Sequence, residues 1–300
     1  SLIGWTKNKA DYPEEAGRGW VPSGKVRLFT NHKNVYFSGY VHEVLEASLM
    51  KAKIPILPAK IIVHHYGKLS QEQDFQKGED YYLLGKLKYE QDPTNMKNIM
   101  ELAKQAHTLH RHEEAVDLWL NLLDLIAAAP ESEEVKELAS ISFGDPKAEI
   151  YIQLASSYLL LDRFDDAVSA ARKAMNFEMS LKEYVSIYAH CEIISGSLEQ
   201  AQLALENLSK EAPDYPPTVL LLSVINCIQG HKSRMEEGFR FLLSKDFKIT
   251  PGLNMVARQL YKRDRINDAS AIVTAIIENR LSDEETLAIR DALFVNQNSA

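Results

Sequence analysis

The sequence predicts a mostly α-helical protein, a right-handed solenoid of stacked helical hairpins behind a small N-terminal α/β segment. Three observations predict it. Apolar residues follow a helical period almost throughout residues 93–300, whereas the first 92 residues are broken by Gly17, Gly19, Pro22, Gly24, Gly39, Pro55, Pro58 and Gly67. Small residues recur on a 34-residue beat in the second part, with methionine at one step. Charge changes at the same place: residues 1–92 carry 13 Lys+Arg against 11 Asp+Glu, and residues 93–300 carry 21 against 31.

In the first part, residues 25–30 (KVRLFT) and 34–40 read as short strands, and 44–51 as a short helix. Residues 59–66, with the β-branched run Ile61, Ile62 and Val63, read as a buried strand ending in His64 and His65. A helix over 78–91 closes the region before Pro93. This is too little for a complete doubly wound domain and fits the tail of a larger one. The expected organisation is an α/β segment over 1–74, a linking helix or degenerate half-repeat over 75–94, about five repeats over 95–281, and a capping helix over 282–296.

The beats of the repeat are Ala167, Ala201, Met235 and Ala269. Twelve residues before each stand Ala155, Ala189, Ser223 and Ala257, so every unit but the one with Met235 offers small residues from two successive helices. Small residues let paired helix axes approach while larger apolar residues at three- and four-residue spacing fill the groove. One hairpin cannot bury its apolar face alone, so neighbours must stack. Asp162, Gly196, Gly230 and Asp264 fall at the turns within the pairs. An earlier unit over 95–130 has its beat at Ala115, 52 residues before Ala167, which requires an 18-residue insert near 131–147. Ser282 reads as the N-cap of the last helix, with Glu285 three residues on. The pattern resembles the tetratricopeptide repeat.

That resemblance implies an inner face lined by the first helix of each unit: Ile152, Ser156 and Leu159, then Ser186, His190 and Ile193, then Leu220, Val224 and Cys227, then Asn254, Arg258 and Tyr261. Such a face would suit a buried neighbouring domain or an extended peptide equally well. It lacks the Lys/Asn/Arg cluster with which certain clamps of that family hold a peptide carboxylate.

Composition bounds the function. With 300 residues, 45% hydrophobic and 25% charged, the chain can bury a core without metals or disulfides. Two cysteines, Cys191 and Cys227, exclude a disulfide scaffold and read as core residues. The formal charge of -8 disfavours a nucleic-acid partner. No stretch is apolar enough to cross a bilayer and the first residues lack an apolar signal core, so a cytoplasmic protein is expected.

Chemistry-bearing residues gather before position 70. Arg27 offers a planar fork to a phosphate or carboxylate. Glu43 beside His42 at a strand-to-helix junction suits a general base and its orienting group. Of His64 and His65, adjacent on a strand, only one can point into a given metal site. The stretches Arg27-Leu28-Phe29-Thr30-Asn31, His42-Glu43 and His65-Tyr66-Gly67, in that order, resemble the end of a GT-A type, family 2 glycosyltransferase catalytic domain carrying tetratricopeptide repeats behind it. The resemblance spans about 60 residues and departs from the family at Thr30, where a second arginine is usual.

The resemblance implies an inverting transfer from a nucleotide sugar. Glu43 would be the base near the acceptor, His65 (alternatively His64) would approach a Mg or Mn ion, and Arg27 would support the donor pocket. The Asp-x-Asp strand of the donor half is missing before residue 25. The chain by itself is therefore expected to be inactive and to hold no cofactor, its partner being a missing N-terminal catalytic half. The alternative is a non-catalytic protein- or peptide-binding scaffold.

Overall fold

The computed structural model describes residues 6–7, 19–20, 26, 28–37, 45–59, 71–142, 145–177 and 182–297. They contain one two-residue ribbon, β1 (Thr6–Lys7) antiparallel to β2 (Gly19–Trp20), and fourteen helices. Contacts divide the chain into two compact units, Ser1–Arg111 and His112–Ala300.

The first unit holds α1 (Glu46–Lys51), α2 (Gln71–Gln91) and α3 (Met96–Thr108). The strands expected over 25–30 and 34–40 are absent from their described residues. The reason lies in where the backbone bonds go. Val26 N–H donates to Glu46 Oε1 at 3.4 Å, Val35 N–H closes a turn on His32, and Tyr36 N–H donates to Ser48 Oγ at 3.1 Å. A helix and a turn thus satisfy donors that a ladder would need. The expected strand over 59–66 lies outside the described residues beyond Ala59. α3 starts at the N-cap Asn95, whose side chain accepts from Asn98 N–H, and it pairs with α2. Lys88 and Glu101 join the two at 2.9 Å, and Arg111 bonds Glu79 at 3.0 Å while lying over the Tyr82 ring.

The second unit is an array of helical hairpins: α4 (His112–Ala128), α5 (Glu133–Ile141), α6 (Pro146–Leu160), α7 (Phe164–Ala174), α8 (Lys182–Ser195), α9 (Leu198–Glu211), α10 (Pro216–Ile228), α11 (Lys232–Ser244), α12 (Ile249–Lys262), α13 (Ile266–Glu278) and α14 (Glu284–Gln297). The pairs are α6 with α7, α8 with α9, α10 with α11 and α12 with α13. Each pair turns in the same way. Asp162, Gly196, Gly230 and Asp264 all have positive φ, at 58°, 93°, 73° and 59°. One residue later, Arg163, Ser197, His231 and Arg265 each donate a backbone bond of 2.9 Å to Tyr158, Glu192, Asn226 and Leu260. This is the left-handed helix stop, which glycine adopts freely and aspartate more readily than most residues.

Ala155, Ala167, Ala189, Ala201, Ala257 and Ala269 are fully buried, as close helix packing requires. In the third pair, Ser223 replaces the alanine and the neighbouring helix compensates with Gly238, where an added Cβ would lie 2.1 Å from Ser223 Oγ. Gly238→Ala is therefore expected to cost about 1 kcal/mol, overpacking outweighing alanine's better helix propensity. In Ser223→Ala/Gly238→Ala the loss should vanish. Urea denaturation of the four-member cycle measures this, and simple additivity would refute the contact.

The insert folds as α5, with Ser132 capping Val135 N–H and Leu138 buried. It leaves the stack continuous, since α4 packs directly on α6. Asp145 caps α6 with Pro146 behind it, and Pro216 opens α10. The last helix corrects one expectation. Asp283, and not Ser282, is the cap: its carboxylate accepts from Thr286 N–H at 2.9 Å, and Thr286 Oγ1 accepts from Asp283 N–H at 3.3 Å. Those bonds from Thr286, chiefly its backbone N–H, hold the Asp283 carboxyl below the usual range. Threonine at the third helical position does the work expected of Glu285.

Candidate functional site

Up to α11 the stacking is regular. The second helix of one pair packs on the first helix of the next, α4 on α6, α7 on α8 and α9 on α10. At the following step the phase breaks: α11 makes little contact with α12, and α13 packs on α10 instead. Lys232 at the start of α11 meets Glu278 at the end of α13 at 2.8 Å. The α12–α13 pair is thus turned relative to its predecessors, and α12 is laid against the first helices of three earlier pairs.

Its contacts run along its length. Gly252 sits against Leu220 of α10, where an added Cβ would lie 2.6 Å from Leu220 Cδ2. Gln259, itself buried, is 2.8 Å from His190 Nε2 of α8 through Oε1 and donates through Nε2 to the Leu159 carbonyl of α6 at 3.1 Å. Since the amide nitrogen serves the carbonyl, its oxygen must accept from His190, which places the imidazole proton on Nε2. Lys262 meets Asp162 at 2.5 Å and Arg263 meets Asp165 at 2.8 Å. Arg265 donates to the Ile193 carbonyl and pairs with Asp268.

Of the residues expected on the inner face, Ser156 and Tyr261 are half-buried. Ile152, Leu159, Ser186, His190, Ile193, Leu220, Val224 and Cys227 are all buried. Asn254 and Arg258 face the last helix instead: Asn254 Nδ2 donates to Asp283 at 2.8 Å, and Arg258 pairs with Glu285 at 2.8 Å. Cys191 and Cys227 are core residues, and burial pushes both thiols up, that of Cys227 to about 12.

Beside this seam lies a cleft of about 730 Å³ bordered by Arg172, Lys173, Asn176, Ser195, Ser197 and Arg263. Arg172 grips the buried Glu192 with two bonds of 2.7 and 2.8 Å. Burial pushes the Glu192 carboxyl up, yet the bonds and charge of Arg172 and the Ser195 and Ser197 hydroxyls hold it below the usual range. A second cleft, of about 400 Å³, opens between Asp162, Asp166, Lys262 and Arg263.

Arg27, His42, Glu43, His64 and His65 lie outside the described residues. Among the described residues no three His, Cys, Asp or Glu side chains gather as a metal site would need. No helix among them is long and apolar enough to cross a membrane. Gln259 and Glu192 were missed in the sequence, although a signal existed. Gln259 occupies the register of Ser157, Cys191 and Ile225, and Glu192 that of Tyr158 and Leu260, positions that are otherwise mostly core.

Fold and turns together define an array of stacked helical hairpins. No family model and no curated protein matches the chain. Among the solved structures similar over much of it are two of low sequence identity. One, described as MamA, is 16% identical with a TM-score of 0.42, covering 62% of this chain and 96% of that one. The other, described as PilW, a widely conserved type IV pilus biogenesis factor, is 14% identical with a TM-score of 0.46, covering 76% of this chain and 99% of that one.

Proposed function

We propose that the chain is a non-catalytic scaffold that binds a protein or peptide segment through its hairpin array. One observation carries the reading: the first helices α6, α8 and α10 present a face on which a helix is already seated. That face meets the seated helix at apolar Leu220 and has an acidic end, in Asp162 and Asp165. Helices that seat in grooves do so through anchors spaced along one apolar side.

The test is site-specific photo-crosslinking in extract of the source cell, with benzoylphenylalanine at Ser156 on α6 or at the exposed Leu203 on α9. A defined protein captured from Ser156 only, and then shown to bind as a purified component, supports the scaffold. Equal, diffuse crosslinking from both positions overturns it.

The glycosyltransferase reading rests on the stretches around Arg27, His42, Glu43 and His65. One imidazole does not make a site for a metal and a diphosphate, so no catalytic step is assigned to these residues. Calorimetric titration with nucleotide sugars, with and without Mn, separates the readings: metal-dependent binding would favour an enzyme.

A further inference from the structure

α12 stands where a ligand would stand. It breaks the stacking phase to lie across α10, α8 and the end of α6, and it does so at residues of their inner register, Leu220, His190 and Leu159. Beside the Arg265 bond to the Ile193 carbonyl, polar bonds fix its second half. They are an amide bridging an imidazole and a carbonyl, and two ion pairs, Lys262–Asp162 and Arg263–Asp165, with partly exposed side chains. Ion pairs of that sort add little to stability and are screened by salt. Clefts border Arg263 on two sides, at the end of this seam.

We propose that the face of α6, α8 and α10 is a helix-binding groove kept occupied in cis by α12, and that its ligand in trans is an amphipathic helix of a partner protein. The chemistry of the seated helix specifies that ligand. It carries an amide to meet His190 and Leu159, and two basic residues one turn later to meet Asp162 and Asp165. Charge complementarity agrees, since the repeat region as a whole is acidic, with 21 Lys+Arg against 31 Asp+Glu over residues 93–300. The partner displaces the α12–α13 pair about the short connection 245–248, where Asp246 already holds a positive φ of 54°. A groove filled in cis lowers apparent affinity by the fraction of time it stands empty. The inference rests on the scaffold reading for its biological meaning, but its physical content is tested separately.

The experiment uses the full chain and, as probe, a fluorescein-labelled synthetic peptide of residues 249–265, read by polarisation. Lys262→Glu/Arg263→Glu weakens the cis helix while leaving the groove intact, so the wild-type peptide should bind it at least tenfold tighter than it binds the wild-type chain. Adding Asp162→Lys/Asp165→Lys to that variant restores the cis pairs with reversed sign and repels the peptide, and affinity should fall back. No gain in the first variant, with helicity retained, overturns the proposal. Should that variant fail to fold, Gly252→Leu, which wedges α12 away from Leu220, takes its place. Hydrogen exchange on the wild-type chain provides the independent readout: amides of 249–281 should exchange at least tenfold faster than those of α6 and α8, and equal protection also overturns the proposal. Peptide binding without any crosslinked cellular partner would sustain the groove and remove the scaffold reading.

Discussion

Arg172→Ala is expected to lower the unfolding free energy at pH 7 by about 2–3 kcal/mol, more than truncation of an exposed arginine normally does. The reason is what remains behind. The Glu192 side chain is 1% exposed, and Arg172 supplies two short bonds to its carboxylate. Ser195 Oγ, at 3.1 Å, is too weak a donor to solvate that charge alone. Arg172 is itself half exposed, and solvent screening holds the effect below the range for a fully buried pair.

Two controls separate this from lost packing. The register of Glu192 carries half-buried Asn226 one array position later and buried Leu260 two positions later, so Arg172→Ala/Glu192→Leu should recover most of the loss. The sign of the pH effect is also fixed. The folded-state carboxyl sits below its ordinary value, so the pair's contribution is present above that value and fades as pH falls through the folded one. In Arg172→Ala the carboxylate can take up a proton, and the deficit against wild type should shrink by pH 4.5. A deficit that is constant with pH, or a double variant no better than the single, would show that Arg172 acts through its aliphatic stem.

How far such features could be read from sequence depends on their range. The hairpins were legible because their determinants are local. Asp162, Gly196, Gly230 and Asp264 stop helices through their own backbone, and the buried alanines face a helix only a turn away in sequence. The turn of the α12–α13 pair was not legible. Its determinants, Gln259 with His190 and Leu159, and Lys262 with Asp162, lie 69 to 100 residues apart, and the 34-residue rhythm continues unbroken through α12 and α13. Periodicity reports which side of a helix is buried and says nothing of what buries it. The expected strands of the first unit failed for a related reason. Val35 and Phe37 alternate as a strand would, but the Val35 N–H found a turn and the Tyr36 N–H the Ser48 hydroxyl before any partner strand. A correct local pattern had no edge to pair with.

Acid should weaken the wild-type chain through His190 in particular. Burial lowers this imidazole from its ordinary 6.5 to about 4, against the opposing effect of its bond to Gln259. Between those values the unfolded chain binds a proton that the native chain refuses, so stability rises with pH across this window and is lost on descending through it. At 1.36 kcal/mol for each unit, the loss on reaching pH 4 is about 3 kcal/mol, as an order of magnitude. The bond geometry explains why protonation is resisted. Nε2–H already donates to Gln259, so a second proton on Nδ1 would bring a full charge into the seam, and no acidic side chain is hydrogen-bonded to the ring among the described residues. The measurement is urea unfolding of wild type and His190→Gln at pH 7.5, 6.0, 5.0 and 4.5. Glutamine keeps a donor for Gln259 and cannot titrate. Other groups titrate equally in both chains, so the difference between the two curves isolates His190. That difference should favour wild type at pH 7.5, narrow steadily below pH 6.5, and reverse before pH 4.5. Parallel curves would mean that the imidazole keeps its solution behaviour, and that α12 does not seal it from water.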